Sequence, residues 1–293
     1  MSRTAYVNGR YLSHATASVH IEDRGYQFGD GVYEVVHVHR GRLVDEALHL
    51  DRLERSLGEI SLAAPLGRAA LLHVLTEVAR RNRIGEGLLY MQVTRGVARR
   101  DHGFPPAGTP TSLVVTARRI PAFPASIERW TGSAITLPDQ RWARCDIKSI
   151  NLLPNVLARQ AARAQGATEA LLIDAAGNLT EGAATSVWVV DAAGTLRLRR
   201  LDARVLPGCT RAALLRLLSE ADIAVEEADC SLAELRAARE IFLTSATSFV
   251  KPMLRLDGAP VGDGSVGPVA RRLFAVFARH VQGAAHNQQG AIN

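Results

Sequence analysis

The chain has 293 residues, 47% of them hydrophobic, 22% charged and 5% aromatic, which allows a large buried core and excludes a disordered chain, a collagen or a disulfide-stapled miniprotein. The formal net charge is +6, but the basic residues are dispersed among acidic and apolar ones without a long like-charge run, which argues against a nucleic-acid partner. Cys145, Cys209 and Cys230 are odd in number and form no CxxC pair, so neither a disulfide framework nor a metal site is expected, and isolated thiols point to the cytoplasm; the opening residues lack a signal-peptide pattern and no apolar run is long enough to span a membrane.

Residues 4–7 and 10–12 flank Asn8-Gly9, which tolerates the positive φ of a hairpin turn. Residues 32–39 read as a strand that Arg40-Gly41 turns back into residues 42–44. Helical spacing follows over 49–57, with Leu50, Leu53 and Leu57 on one face, and again over 66–78. Residues 88–94 and 112–117 read as buried strands, and the proline-bearing stretch 120–124 reads as a domain boundary. Beyond it, a helix is predicted over 154–165, opened by Pro154 and closed by Gly166. Strands are predicted at 170–174 and 185–190, then a helix at 210–220, a strand at 223–226, a helix at 232–237 and a strand at 241–244. The last dozen residues read as a loose tail.

Lysine occurs only as Lys148 and Lys251 among 35 basic residues. A lysine kept where arginine is the rule either survives by chance or supplies what arginine lacks, a nitrogen that can lose its proton and attack a carbonyl. Lys148 has polar companions in Asp146-Ile147-Lys148-Ser149-Ile150-Asn151-Leu152-Leu153-Pro154-Asn155, whereas Lys251 precedes a proline in an extended segment and reads as a solvated residue. Glu181, after the turn at 176–178, is either an exposed loop acid or a carboxylate delivered to a strand edge to hold a protonated ring nitrogen. Leu206-Pro207-Gly208-Cys209-Thr210-Arg211 opens a helix whose free amides could seat a phosphate or only water. The hydroxyl-rich turn 244–248, with Ser245 and Ala246, could face the same anion. Arg52 could reach that phosphate or pair with acidic helix neighbours; Arg100 and His102 could trap a carboxylate or sit in a solvated turn; Tyr33 could face a site or pack half-buried. Walker, GxSxG and HExxH patterns are absent.

Taken in order, the Lys148 run, Leu179-Thr180-Glu181-Gly182 and the segment 206–211 resemble the fold-type IV pyridoxal-phosphate enzymes, and most the D-amino-acid aminotransferases, from about Tyr6 to Phe277. The resemblance implies a two-domain α/β (α+β) protein: a smaller N-terminal α/β domain over 1–120, a linker at 121–132, a larger C-terminal pseudo-barrel domain over 133–282 that binds pyridoxal 5′-phosphate, and a tail at 283–293. It implies that Lys148 forms the Schiff base and shuttles the proton, that Glu181 faces the pyridine nitrogen, that Arg52, Cys209, Thr210, Ser245 and Ala246 hold the phosphate, and that Leu206 packs on the ring. Tyr33, Arg100 and His102 match the substrate-carboxylate trap, the last two reaching in from the other subunit of a homodimer. Ala183, Ala184 and Ala246 stand where the family often has hydroxyls, and His37 stands where it often has lysine. The implied activity is transfer of an amino group from D-amino acids to 2-oxo acids. Rival readings are a branched-chain L-aminotransferase, an (R)-amine transaminase, an aminodeoxychorismate lyase and, from another class, a non-catalytic basic binding protein.

Overall fold

The computed structural model describes residues 3–218, 220 and 223–283. They form two compact units, the first made of residues 3–122 with Ile147–Asn151, the second of Phe123–Asp146 and Leu152–Gly283. Most of the stretch read as a tail, from residue 284 on, lies outside the described residues.

The first unit is built on β1 (Thr4–Val7), β2 (Arg10–Ser13), α1 (Arg24–Phe28), β3 (Gly31–His39), β4 (Arg42–Leu43), α2 (Glu46–Glu59), α3 (Arg68–Arg81), β5 (Gly87–Thr94) and β6 (Ser112–Arg119). Its strands make one antiparallel sheet in the order β2-β1-β6-β5-β3-β4. Asn8-Gly9 and Arg40-Gly41 take positive φ, as two-residue hairpins require. The helical periods read in the sequence are the buried faces of α2 and α3: Leu50, Leu53, Leu57, Leu71, Leu75 and Val78 pack on Val32, Leu89, Met91, Val93 and Val115. Burial of these side chains, at roughly 1.5–3 kcal/mol each, fixes which sheet face is covered. Strand β4 pairs only with Val38 and His39, and the start of β3 instead bonds to the returning segment Ile147–Asn151. The Tyr33 amide donates to the Lys148 carbonyl at 3.0 Å and the Ile150 amide to the Gly31 carbonyl at 3.1 Å, with Val32 bridged to Ser149 and Ile147 in the core.

The second unit contains β7 (Gly132–Pro138), α4 (Leu153–Ala164), β8 (Glu169–Ile173), β9 (Leu179–Gly182), β10 (Ser186–Val190), β11 (Leu196–Leu198), α5 (Cys209–Leu217), β12 (Val225–Glu227), α6 (Leu232–Arg236), β13 (Glu240–Ser245), β14 (Phe249–Leu256), β15 (Ala259–Pro260) and α7 (Pro268–Gly283). A short 3-10 turn, Ile127–Arg129, precedes β7. The sheet runs β12-β11-β10-β13-β14-β7-β8-β9, with β15 on β14, and is parallel at β11/β12, β14/β7 and β7/β8. Five strand spacings separate β9 from β10 along this sheet, about 24 Å if it were flat. Only Ala183, Ala184 and Thr185 connect them, a span of at most about 14 Å. The sheet therefore curls until its β9 edge returns to β10, which gives the pseudo-barrel. Leu171, Val187, Val189, Ile241, Leu243 and Met253 share one core, α4 lays Ala158 and Ala162 on Ile135 and Leu172, and Phe274 and Phe277 of α7 meet Phe123. Glu181 lies inside a strand of its own, β9, rather than in a loop before β10.

Candidate active site

In the first unit, the bonds along β3 bring Lys148 to Tyr33: its Nζ lies 4.3 Å from the centre of the Tyr33 ring, a cation–π distance. Tyr33 in turn stacks on Tyr90 at 5.6 Å, and burial, with Tyr33 adding to it, pushes the Tyr90 phenol up to about 12. The Lys148 amide donates to Ser56 Oγ at 3.4 Å. Ser56 is four residues beyond Arg52 on the same buried face of α2, so this face brings the lysine backbone and the Arg52 turn together.

Asp51 and Glu54, the acidic helix neighbours of Arg52, bind Arg68, and Arg52 reaches across to β3. It donates from Nε and Nη2 to the two carboxylate oxygens of Glu34, at 2.7 and 2.8 Å, while His49 Nδ1 lies 2.7 Å from Oε2. Burial alone would raise the Glu34 carboxyl, but Arg52 and His49 together outweigh it and hold it at about 2. Glu34 and His49 are therefore residues the sequence reading missed. The signal was available: in β3 the positions facing the helices are Val32, Glu34 and Val36, and an acid on that face needs a cationic partner.

His37 points to the opposite face of β3. Burial pushes its imidazole down to about 4, with Glu86 and Asp45 opposing and His39 assisting, so it is neutral at pH 7. Arg100 and His102 lie on the exposed loop after β5, both against Phe28: the Arg100 guanidinium is 5.0 Å from the ring centre and the His102 ring 5.4 Å away.

In the second unit, Glu181 accepts the Leu206 amide at 3.1 Å and forms an ion pair with Arg141. Arg141 is the other functional residue the sequence reading missed, and nothing local could have signalled it, since the contact is made 40 positions away. The Asp139 carboxylate grips Arg141 at 2.9 and 2.7 Å, and Thr180 donates to Asp139 at 2.7 Å. Burial would lower the Arg141 guanidinium, but Asp139 and Glu181 carry it above its ordinary value. Beside them, burial pushes the Cys145 thiol up to about 11, which keeps it protonated and unreactive at neutral pH.

Glu181, Ser186, Leu206 and Arg211 line one cleft. Helix α5 starts at its rim. Its first helical bond runs from Ala212 to the Gly208 carbonyl, and no side chain caps it, so the amides of Cys209, Thr210 and Arg211 have no partner within the helix. A Cβ on Gly208 would lie 2.6 Å from Ser186 Oγ, so glycine is what lets this turn sit against β10. Ser186 pairs in register with Thr244 of β13, and Ser245 follows, its Oγ accepting the amides of Thr247 and Ser248 at 3.2 and 3.0 Å. Ala246, next to it, is half-buried and offers no side-chain donor.

Within the second unit these features fit a phosphorylated pyridine: uncapped amides at a helix start suit the phosphate, and the Glu181 carboxylate suits a protonated ring nitrogen. Comparison with known proteins agrees. The family model for amino-transferase class IV matches residues 31–256, and the chain belongs to that family, the fold-type IV pyridoxal-phosphate-dependent aminotransferases. Among curated relatives, a D-alanine aminotransferase of Listeria innocua is 39% identical over 94% of this chain and 95% of its own length, and one of Bacillus licheniformis is 40% identical over 91% and 93%. Among solved structures, an aminotransferase from Mycobacterium tuberculosis in its form bound to pyridoxal phosphate superposes with a TM-score of 0.82, covering 96% of this chain and 99% of its own, at 22% identity; the Escherichia coli branched-chain amino acid aminotransferase gives 0.84 over 95% and 94%, at 24%. The likeness to these structures is one of fold. No helix among the described residues is long and apolar enough to cross a membrane.

Proposed function

We propose that the chain is a D-amino-acid transaminase, moving the amino group of a D-amino acid such as D-alanine to a 2-oxo acid such as 2-oxoglutarate or pyruvate. The observation that carries this reading is the near full-length match to relatives named D-alanine aminotransferase. Pyridoxal 5′-phosphate supplies, when bound, an aldehyde that condenses with amines and a ring that draws electrons from the substrate's Cα.

The chain's own residues do the rest. Lys148 Nζ would tether the cofactor and, when free, would take the proton from the substrate's Cα and later give it back, acting as both base and acid. The Glu181 carboxylate, held by Arg141 and the Leu206 amide, keeps a proton on the ring nitrogen. In the second unit, the amides of Cys209 and Thr210 and Ser245 with the Ala246 amide would bind the phosphate and Leu206 would pack on the ring; the resemblance gives Arg52, fixed by Glu34 in the first unit, a phosphate-binding role as well. Tyr33, Arg100 and His102 bind the substrate carboxylate. Neutral His37 stands where a lysine would add a cation.

Arg100 and His102 serve the site of a second copy in a homodimer. Support comes from their exposure, from exposed Val97 and Phe104 in the same loop, and from Leu153, Val156 and Leu157, which leave an apolar stripe open along α4. The three free, buried cysteines support a cytoplasmic location. A paired half-reaction screen tests the activity: D-alanine and D-glutamate bleach the visible band of the holoenzyme and L-leucine does not. Bleaching by L-leucine alone would refute the D-specific reading.

A further inference from the structure

We propose that Arg24 and Phe28 are positioning residues that set the geometry of the carboxylate-binding loop carrying Arg100 and His102; the inference rests on the reading of those two residues as the carboxylate trap. The loop between β5 and β6 is exposed from Arg99 through Phe104 and has no secondary structure of its own to fix it. What holds it comes from α1. Arg24 is 3% exposed, an arrangement a guanidinium tolerates only when its donors are engaged.

Its Nε donates to Asp30 at 2.8 Å and its Nη1 to the carbonyl of Asp101 at 2.6 Å, so it bonds the residue between Arg100 and His102. Asp30 is shared with buried Arg95, whose Nε also donates to it at 2.8 Å and whose other nitrogens reach the carbonyls of Ile60 and Ser61. The base of the loop is thereby tied to the end of α2. Backbone bonds continue the attachment, from Arg24 to the Gly96 carbonyl and from Ala98 to the Glu22 carbonyl. Phe28 then acts at the tip. Its ring lies 4.8 Å from the Arg24 guanidinium, 5.0 Å from that of Arg100 and 5.4 Å from the His102 ring. One buried arginine fixes the loop backbone, and one aromatic ring sets the two side chains it presents.

Only a fork of fixed geometry can span the Asp30 carboxylate and the Asp101 carbonyl at once, which a single ammonium cannot reproduce. The test uses the holoenzymes of Arg24→Lys and Phe28→Leu, with Arg100→Ala as reference. Each is given D-alanine and D-alaninol, which carries hydroxymethyl in place of the carboxylate, and the half-reaction is followed by absorbance. Loss of one charge-assisted contact predicts a rise of about tenfold or more in the apparent KM for D-alanine. The expected kcat, cofactor affinity and reaction with D-alaninol stay within about twofold of wild type by the same reasoning, because only the carboxylate site is disturbed. An unchanged D-alanine KM in both variants, while Arg100→Ala raises it, overturns the positioning role alone. Equal losses with both donors would mark a general structural brace and also overturn it. If Arg100→Ala itself leaves the D-alanine KM unchanged, the trap falls and the positioning role falls with it.

Discussion

Glu34→Gln probes the charge cluster beneath Arg52, and its size follows from the geometry. The Glu34 side chain is 0% exposed and accepts two bonds from Arg52 and one from His49. Its folded value of about 2 against an ordinary 4.5 corresponds, at about 1.4 kcal/mol per pH unit, to about 3 kcal/mol of stability. The folded value is depressed, so this contribution is complete above the unfolded value near 4.5 and is lost as pH falls toward 2; about 1 kcal/mol remains at pH 3. Glutamine keeps the shape and removes the charge. Urea unfolding of apoenzyme is expected to show the variant about 3 kcal/mol less stable at pH 7, the gap narrowing to about 1 kcal/mol at pH 3 as the wild type loses the same charge on unfolding. The cofactor is expected to bind more weakly as well, since Arg52 loses the anion that fixes its fork. A gap of equal size at both pH values would refute the electrostatic account.

Three further substitutions reach other parts of the site. Lys148→Ala is expected to abolish the visible absorbance band of the holoenzyme while leaving the fold intact by circular dichroism; a persisting band would reject the lysine as tether. Arg141→Met leaves Asp139 and Glu181, 11% and 9% exposed at the side chain, without their shared cation, and is expected to cost about 3–5 kcal/mol in chemical denaturation together with cofactor affinity; unaltered stability would show that the pair is not a structural unit. Gly96→Ala places a side chain on a backbone with φ of +84°, against the Pro110 carbonyl. A lower Tm by calorimetry, from about 1–3 kcal/mol of backbone strain, and a raised KM for D-alanine are expected, and wild-type values for both would contradict the close approach.

Legibility in the sequence followed locality. The hairpin turns, the helical faces of α2 and α3, and the start and end of α4 all rest on residues within a few positions of one another, and Gly166 takes the positive φ expected after α4. Strand β14 shows the opposite case. Pro252 argues against a central strand because it cannot donate to the ladder, yet β14 lies between β13 and β7; the register with β7 begins only at Met253, so Pro252 stands before that ladder starts. Strand β9 is four residues long, too short for an alternation to register. Resemblance supplied what periodicity could not, because it singled out Lys148 and Glu181 by their ordered motifs. It gave no partners, however: Arg141 and Glu34 meet their site residues only through tertiary folding, and of the two only Glu34 left a trace, as an acid on a core-facing period.

The division of labour between the two kinds of base explains the composition. Removing Lys148 and Lys251 from 35 basic residues leaves 33 arginines. Several of the buried ones join two acceptors at once: Arg24 joins Asp30 to a loop carbonyl, Arg95 joins Asp30 to the end of α2, and Arg141 joins Asp139 to Glu181. A planar fork holds such bridges with little loss of freedom and never gives up its charge, whereas an ammonium on a flexible stem does neither. The choice also protects the chemistry. An amine close to an aldehyde can compete for it once deprotonated, and a guanidinium cannot. A frame made of arginine therefore holds the acids in place without supplying a rival to Lys148. Scarcity of lysine and the role proposed for the one at position 148 follow from the same physical difference.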